Sequence, residues 1–263
     1  MTEITLTVLG CGSSSGTPVI GCQCPTCSSK SPKNRRTRCS AHLIIGNKHW
    51  QIDTSTDFYH QALRHKLQQI DGVLYTHPHA DHLNGIDDLR AFCYQQKSAI
   101  PIYGHSGTLA NICSRFDYAF LEQNNHWNRP VLRAHELLLN QGQNSVLTIE
   151  GVPLWHFGVP HGSWTTSAFR IGNIAWFTDL NHIDESLFAH LHGLDYLFLD
   201  CLMDTPYPSH LSTEQAFAYA ERINARQTYL IHMTHHQEYR ALKRRCPKNC
   251  APAYDGLIVS SYY

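Results

Sequence analysis

The chain has 263 residues, 42% of them hydrophobic, and its 21 basic and 21 acidic side chains cancel to zero. That apolar share can fill a sizeable core, while a neutral balance offers no global field to gather a long polyanion, so no large nucleic-acid substrate is expected. No run approaches the ~20 apolar residues of a spanning helix, so no membrane association is expected either.

The N-terminal stretch MTEITLTVLG carries an acid and goes straight into alternation, a strand over residues 4–9 and unlike a signal peptide. The expected compartment is cytoplasmic. Ten cysteines should stay reduced there, and clustered thiols then favour metal over disulfide. The loop GSSSGTP follows; it reads either as a phosphate contact without the lysine of a P-loop or as a tight structural turn. VIGCQCPTC then sets Cys22, Cys24 and Cys27 at C-x-C-x₂-C spacing, three thiols that make an incomplete metal site. Arg35, Arg36 and Arg38 read as a solvated cluster, with binding of a terminal phosphate as the minor alternative.

Strands are predicted at 43–45, 50–52 and 73–75, alternating with helix-like stretches. Directly after the strand GVLYT comes HPHADH, placing His77, His79, Asp81 and His82 within one short loop. In an extended segment His77 and His79 project to one side, and a turn at Ala80 brings Asp81 and His82 round to a neighbouring point, so one loop can serve two adjacent metals. Residues 118–144 turn polar and irregular, with EQNNHWNRP and NQGQN as breakers, and read as a surface insertion or a lid.

Further strands are predicted at 152–157, 168–171, 174–177, 196–199, 228–231 and 257–260. His161, Asp179 and His232 each follow one of these apolar runs, so all three could open onto one sheet edge and complete the ligand set; each alone also reads as a turn or cap residue. Asp200 ends the run LFLD, and His210 in PSHLSTEQA precedes a helix in which Ser212 caps and Gln215 holds the capping-box position. Cys246 and Cys250 read as ordinary thiols. Strands and helices mix throughout without repeat or linker, the pattern of one α/β domain over 1–263.

HPHADH with a later His161, Asp179 and His232 resembles the metallo-β-lactamase superfamily. LGCGSSSGTPVIGCQCPTC, NRRTRCS and HADHLNGIDDLR resemble, within it, the PhnP family, the phosphoribosyl cyclic phosphodiesterases of phosphonate breakdown. The likeness covers about residues 5–260. It implies an αββα four-layer sandwich, a first metal on His77, His79 and His161, a second on Asp81, His82 and His232, and Asp179 bridging. It also implies a structural Zn²⁺ on Cys22, Cys24, Cys27 and His235, with His236 the neighbouring alternative. His210 matches the family's catalytic histidine, suited to protonate a leaving alkoxide. Asp200 takes the place of an acid that orients the matching histidine in related tRNA 3′-end endonucleases.

Ligand type permits Zn²⁺, Mn²⁺ or Fe²⁺ at the paired site, and the resemblance favours Mn²⁺. The expected enzyme is a metal-dependent phosphodiesterase. It would attack a small cyclic phosphodiester, phosphoribosyl 1,2-cyclic phosphate or a nucleotide 2′,3′-cyclic phosphate, with hydroxide generated at the metal pair, with Asp81 and Asp200 counted beside His210 as catalytic. A tRNA 3′-end endonuclease and a thioester hydrolase on the same fold are the alternatives, and a homodimer is left open.

Overall fold

Strand β1 (Glu3–Gly10) alternates so that Ile4, Leu6 and Val8 point one way into a central apolar cluster while Leu9, past an irregularity in register, joins an outer one. The computed structural model containing it describes residues 1–122, 126–139 and 146–263. After β1 come β2 (Ser40–Ile45), β3 (Lys48–Ile52), α1 (Phe58–His65), β4 (Gly72–Leu74), α2 (Ala80–Leu83), α3 (Leu89–Gln96), β5 (Ile100–Gly104), α4 (Ser106–Arg115) and β6 (Leu132–Glu136). Then follow β7 (Leu147–Ile149), β8 (Val152–His161), β9 (Trp164–Ile171), β10 (Ile174–Phe177), α5 (Glu185–Phe188), β11 (Tyr196–Asp200), α6 (Thr213–Ile223), β12 (Gln227–Ile231), α7 (Tyr239–Arg245), β13 (Cys250–Pro252) and β14 (Ile258–Tyr262).

Among the described residues the strands form two seven-stranded sheets, ordered β14-β1-β2-β3-β4-β5-β6 and β13-β12-β11-β10-β9-β8-β7. Their facing sides share one core, in which Leu6, Leu43 and Trp50 of the first sheet belong with Phe157, Phe169 and Trp176 of the second. Outside the first sheet, Phe58, Leu89 and Ile112 of α1, α3 and α4 cover Leu9, Val73 and Ile102. Against the second, α6 and α7 bury Ala216, Ile223 and Leu242. The result is the helix–sheet–sheet–helix sandwich. Buried on both faces, β10 reads as an unbroken apolar run, IAWF, as the inner strands of parallel stretches do.

Within each sheet the elements that carry the site leave in the same direction. β3, β4 and β5 are mutually parallel, as are β10, β11, β12 and β13, and β8 runs with β10 because both are antiparallel to β9. Their carboxyl ends therefore open at the sheet edges, the ordinary location of ligand sites in α/β sheets.

Two expectations are corrected. Residues 118–144 are not simply an insertion: Leu132–Glu136 is β6, parallel to β5, with Trp127, Val131 and Leu132 in the outer core. The parts of that segment at 123–125 and 140–144 lie outside the described residues. Periodicity missed β6 because only Leu132 of its five residues is buried, as befits an edge strand. β8 does not end at 157 but runs through His161, which pairs with Trp164 across the turn Gly162–Ser163.

Candidate metal centre

HPHADH leaves β4 extended through His79, which stands at the N-terminus of α2, so Asp81 and His82 sit in a helical turn. The turn lies close on the backbone after β3: Thr54 N–H donates to the His82 carbonyl at 2.8 Å and Gly85 N–H to the Thr54 carbonyl at 2.9 Å. A Cβ on Gly85 would stand 2.2 Å from the Ser55 carbonyl oxygen, so no other residue fits this approach. The remaining candidates arrive from strand ends: His161 closes β8, Asp179 follows β10, Asp200 closes β11 and His232 follows β12. Asp179 and His232 take left-handed backbone, φ 55° and 57°. Asp and His tolerate that region better than most side chains, and the sharp exit belongs with the site they serve.

The structure brings the expected residues together in the expected sets. Ligand atoms of His77, His79 and His161 lie within 4.8 Å of one another, as do those of Asp81, His82 and His232, and Asp179 clusters likewise with His77 and His82. Asp179 faces both sides: Oδ1 is 3.8 Å from His77 Nε2 and 3.3 Å from His232 Nε2, and Oδ2 is 3.2 Å from His82 Nε2. His210 also lies within ligand distance of His161 and Asp179.

Hydrogen bonds behind the rings choose which nitrogen faces inward. His77 Nδ1 meets Thr76 Oγ1 at 3.0 Å, His161 Nδ1 donates to the Ser209 carbonyl at 2.7 Å, and His82 Nδ1 donates to Asp53 Oδ2 at 2.7 Å. Each leaves Nε2 for the site, the arrangement that backs most metal-bound imidazoles. Asp53 went unnoticed in the sequence. Like Asp179, it stands just past a strand end, with φ 56°, and it also accepts from Thr76 N–H and Oγ1–H at 2.8 and 2.7 Å.

His82 Nε2 and His232 Nε2 are buried and face Asp179 oxygens at 3.2 and 3.3 Å without an aligned hydrogen bond, an arrangement a cation between them resolves. Charge says the same. Burial pushes His77, His79 and His161 below their ordinary pKa, leaving neutral lone pairs. Burial acts against ionised Asp179, but His232, His82 and His77 outweigh it and hold that carboxyl well below the usual range. His82, though buried, is held well above its ordinary value by Asp179, Asp81 and Asp53. Neutral imidazoles at His77, His79 and His161, and carboxylates that draw positive charge to His82, suit divalent cations, and the residues fit them.

His210 Nδ1 donates to Asp200 Oδ1 at 3.1 Å, and its ring stacks on His232 at 4.7 Å between centroids. Burial alone would lower this imidazole, yet Asp200, then Asp179, lift it to about 9. Asp200 is buried and further fixed by accepting from the backbone N–H of Leu211 and Asp179 at 2.9 and 3.2 Å.

The cysteine loop finds its fourth partner. His235 Nδ1 is 3.3, 3.5 and 3.4 Å from Sγ of Cys22, Cys24 and Cys27. Tetrahedral zinc with Zn–S of about 2.3 Å and Zn–N of about 2.0–2.1 Å requires S···N edges of about 3.5 Å, so this set also fits its ion. The neighbouring His236 is not in the cluster. The Cys27 N–H, donating to Cys24, is the main influence that brings that thiol down to about 6, whereas burial pushes Cys27 up to about 11. Beside it, GSSSGTP is a turn: Gly16 N–H donates to the Ser13 carbonyl, and Gly12 bridges to Arg38 and Met233.

The arginine reading fails for Arg36. Only 1% exposed, it donates to the carbonyls of Gln237 and Thr234 at 2.8 and 2.9 Å. Arg38 is engaged by both oxygens of Asp57 at 3.1 Å, and only Arg35 is exposed without such a contact. Cys246 and Cys250 are half-buried free thiols. No helix among the described residues is long and apolar enough to cross a membrane.

Comparison with known proteins agrees with this geometry. The model of a beta-lactamase superfamily domain matches residues 51–233. The solved structure of a diphosphatase from the PhnP family superposes with TM-score 0.90 at 33% identity, covering 99% of this chain and 98% of that one. Human tRNase Z, short form, shares the fold with TM-score 0.72 and 18% identity, covering 97% and 98% of the two chains. An octanoyltransferase of Porphyromonas gingivalis is 33% identical over 257 residues, 95% of this chain but 50% of that protein. The chain thus spans half the length of the curated relative it matches.

Proposed function

The chain belongs to the beta-lactamase superfamily and, within it, to the PhnP family; from that premise we propose that it is a metal-dependent hydrolase of phosphoesters and cleaves a small cyclic phosphodiester, phosphoribosyl 1,2-cyclic or nucleotide 2′,3′-cyclic. The observation that carries this is the His210–Asp200 pair beside the carboxylate–histidine cluster. A phosphodiester, unlike a good thiolate ester, leaves as a basic alkoxide that needs a proton.

His77, His79, His161 and Asp179 would hold one divalent ion, and Asp81, His82, His232 and Asp179 a second. When bound, such a pair polarises a phosphoryl oxygen and acidifies water. The chain's own residues do the rest. Asp200 accepts the Nδ1 proton of His210 in a hydrogen bond, orients the ring and favours its protonated form, so that Nε2–H is the group that would serve the departing oxygen. Mn²⁺ is the proposed ion for the pair and Zn²⁺ for the cysteine set.

A second reading is hydrolysis of an acyl thioester, favoured by the relative named octanoyltransferase. The test is turnover by Mn²⁺-loaded protein of 2′,3′-cyclic AMP, phosphoribosyl 1,2-cyclic phosphate and bis-p-nitrophenyl phosphate beside an octanoyl thioester and inorganic diphosphate. Diester turnover at a kcat/KM of roughly 10⁴ M⁻¹s⁻¹ or more on one cyclic ester is expected. Turnover of the thioester with inert diesters would overturn the reading.

A further inference from the structure

Two large aromatic side chains stand in solvent beside the metal centre. Trp164 is 55% and Tyr207 50% exposed. The Trp164 ring lies 6.1 Å from that of His79, and the Tyr207 ring 6.0 Å from that of His210, centroid to centroid. One thus flanks a candidate ligand and the other the candidate acid.

Both are held in place by the turns that carry them. Trp164 opens β9 opposite His161, across a turn in which Gly162 adopts φ 61°. Tyr207 bridges back to His210 across Pro208 and Ser209. The two turns are fastened together: His161 Nδ1 donates to the Ser209 carbonyl at 2.7 Å, and Asn181, whose N–H donates to the Pro160 carbonyl on β8 at 2.9 Å, donates Nδ2 to the Pro208 carbonyl at 2.6 Å. A Cβ on Gly162 would stand 3.4 Å from Ser209 Cβ, so the turns are in near contact. Neither ring fills the apolar core. Both are therefore exposed π-faces carried on fixed turns at the rim of the site, next to the groups that would hold a phosphate.

Building on the phosphodiesterase reading, we infer that Trp164 and Tyr207 receive the planar base of a nucleotide ester, so that the site selects nucleotide 2′,3′-cyclic phosphates over base-free sugar phosphates. With the phosphoryl group at the metal centre, the sugar projects outward and its base reaches the rim. Stacking on an aromatic face is tolerant of base identity, so the selection is for a base rather than for one base.

The test compares 2′,3′-cyclic AMP with the 2,3-cyclic phosphate of methyl riboside, which lacks the base, by KM and kcat. It also compares binding of 3′-AMP with that of methyl riboside 3-phosphate by calorimetry. The metal-loaded wild type should favour the base-bearing ligand, and Trp164→Ala and Tyr207→Ala should each reduce that preference roughly tenfold, mainly in KM and Kd. Trp164→Phe should retain most of it, and bound metal should be unchanged. Equal affinity of the wild type for both ligands overturns the inference. So does an equal loss for both ligands, or loss of metal, in Trp164→Ala, because Trp164 would then only brace His79. Preference for 3′-AMP without hydrolysis of any cyclic ester would sink the phosphodiesterase reading and leave the rim standing; hydrolysis without preference would sink the rim alone.

Discussion

At the scale of single residues, the side chains of the metal centre are set by neighbours that stand behind them. Asp53 takes the Nδ1 proton of His82 at 2.7 Å and so leaves Nε2 for an ion. Asp53→Asn offers the same shape with a weaker acceptor, and affinity for the ion held by His82 is expected to fall roughly 10- to 100-fold while the fold persists. Metal titration checks it, and an unchanged second binding constant would refute the role. His210→Ala should behave otherwise: turnover falling on the order of 10²-fold or more with metal content unchanged. Because His210 lies within ligand distance of His161 and Asp179, the metal count separates acid from ligand. Loss should be smaller for p-nitrophenolate, which needs little protonation; an equal loss for good and poor leaving groups would make His210 a substrate-binding residue. The contrast between these residues also explains what could be read early. HPHADH packs four ligand-type residues into six positions, a density without a bland explanation. Asp53 is one acid after the mixed strand KHWQI, in a chain with 21 acids, and only its left-handed backbone and its bond to His82 distinguish it.

At the scale of elements, the metal centre depends on how the N-terminal loop is fastened to the segment after β12. Backbone pairing joins Cys11 and Ser13 to Met233, directly beside His232. Arg36 fastens the same segment through Thr234 and Gln237, and the cysteine set closes it at His235. Cys24→Ser should remove one equivalent of zinc and lower Tm. The bond between Cys27 and His235 spans a separation of 208 positions, and an ion bound only by the folded chain adds its binding energy to stability. Activity should drop through loosening of His232 and recover in part with excess Mn²⁺. Unchanged zinc stoichiometry, or a variant as stable as its parent, would contradict the knot. The spacing C-x-C-x₂-C was legible because zinc loops impose it. The place of Arg36 was not: a run of three arginines ordinarily marks solvent, and only the tertiary fold shows one of them turned inward beneath the loop. The same limit applies to β6, whose exposed residues carry no alternation and whose identity comes from pairing with β5.

At the scale of the whole molecule, both sheets bury histidine away from the metal centre. His42 on β2 is 3% exposed, contacting Gln51 and His49, and His156 on β8 is fully buried, paired with Ser167 Oγ at 2.7 Å. Burial, the largest influence on each, lowers both from the ordinary 6.5 to about 4. Between those two values the unfolded chain binds protons that the folded chain refuses. Stability is therefore fully present above pH 6.5 and declines as pH falls toward 4, by ~3 kcal/mol for each histidine. The metal centre also loses its ions to protons in acid, so the slope of the wild type alone mixes two causes. The variant separates them: in His156→Gln, ion loss is common to both proteins and cancels in the difference. Urea midpoints measured from pH 7 to pH 4.5 should then fall less steeply for His156→Gln than for its parent, whatever the variant's own cost at pH 7. Parallel slopes would mean that His156 takes up its proton as readily in the folded state as in the unfolded one, and that the acid sensitivity of the molecule comes from His42 and the metal ligands instead.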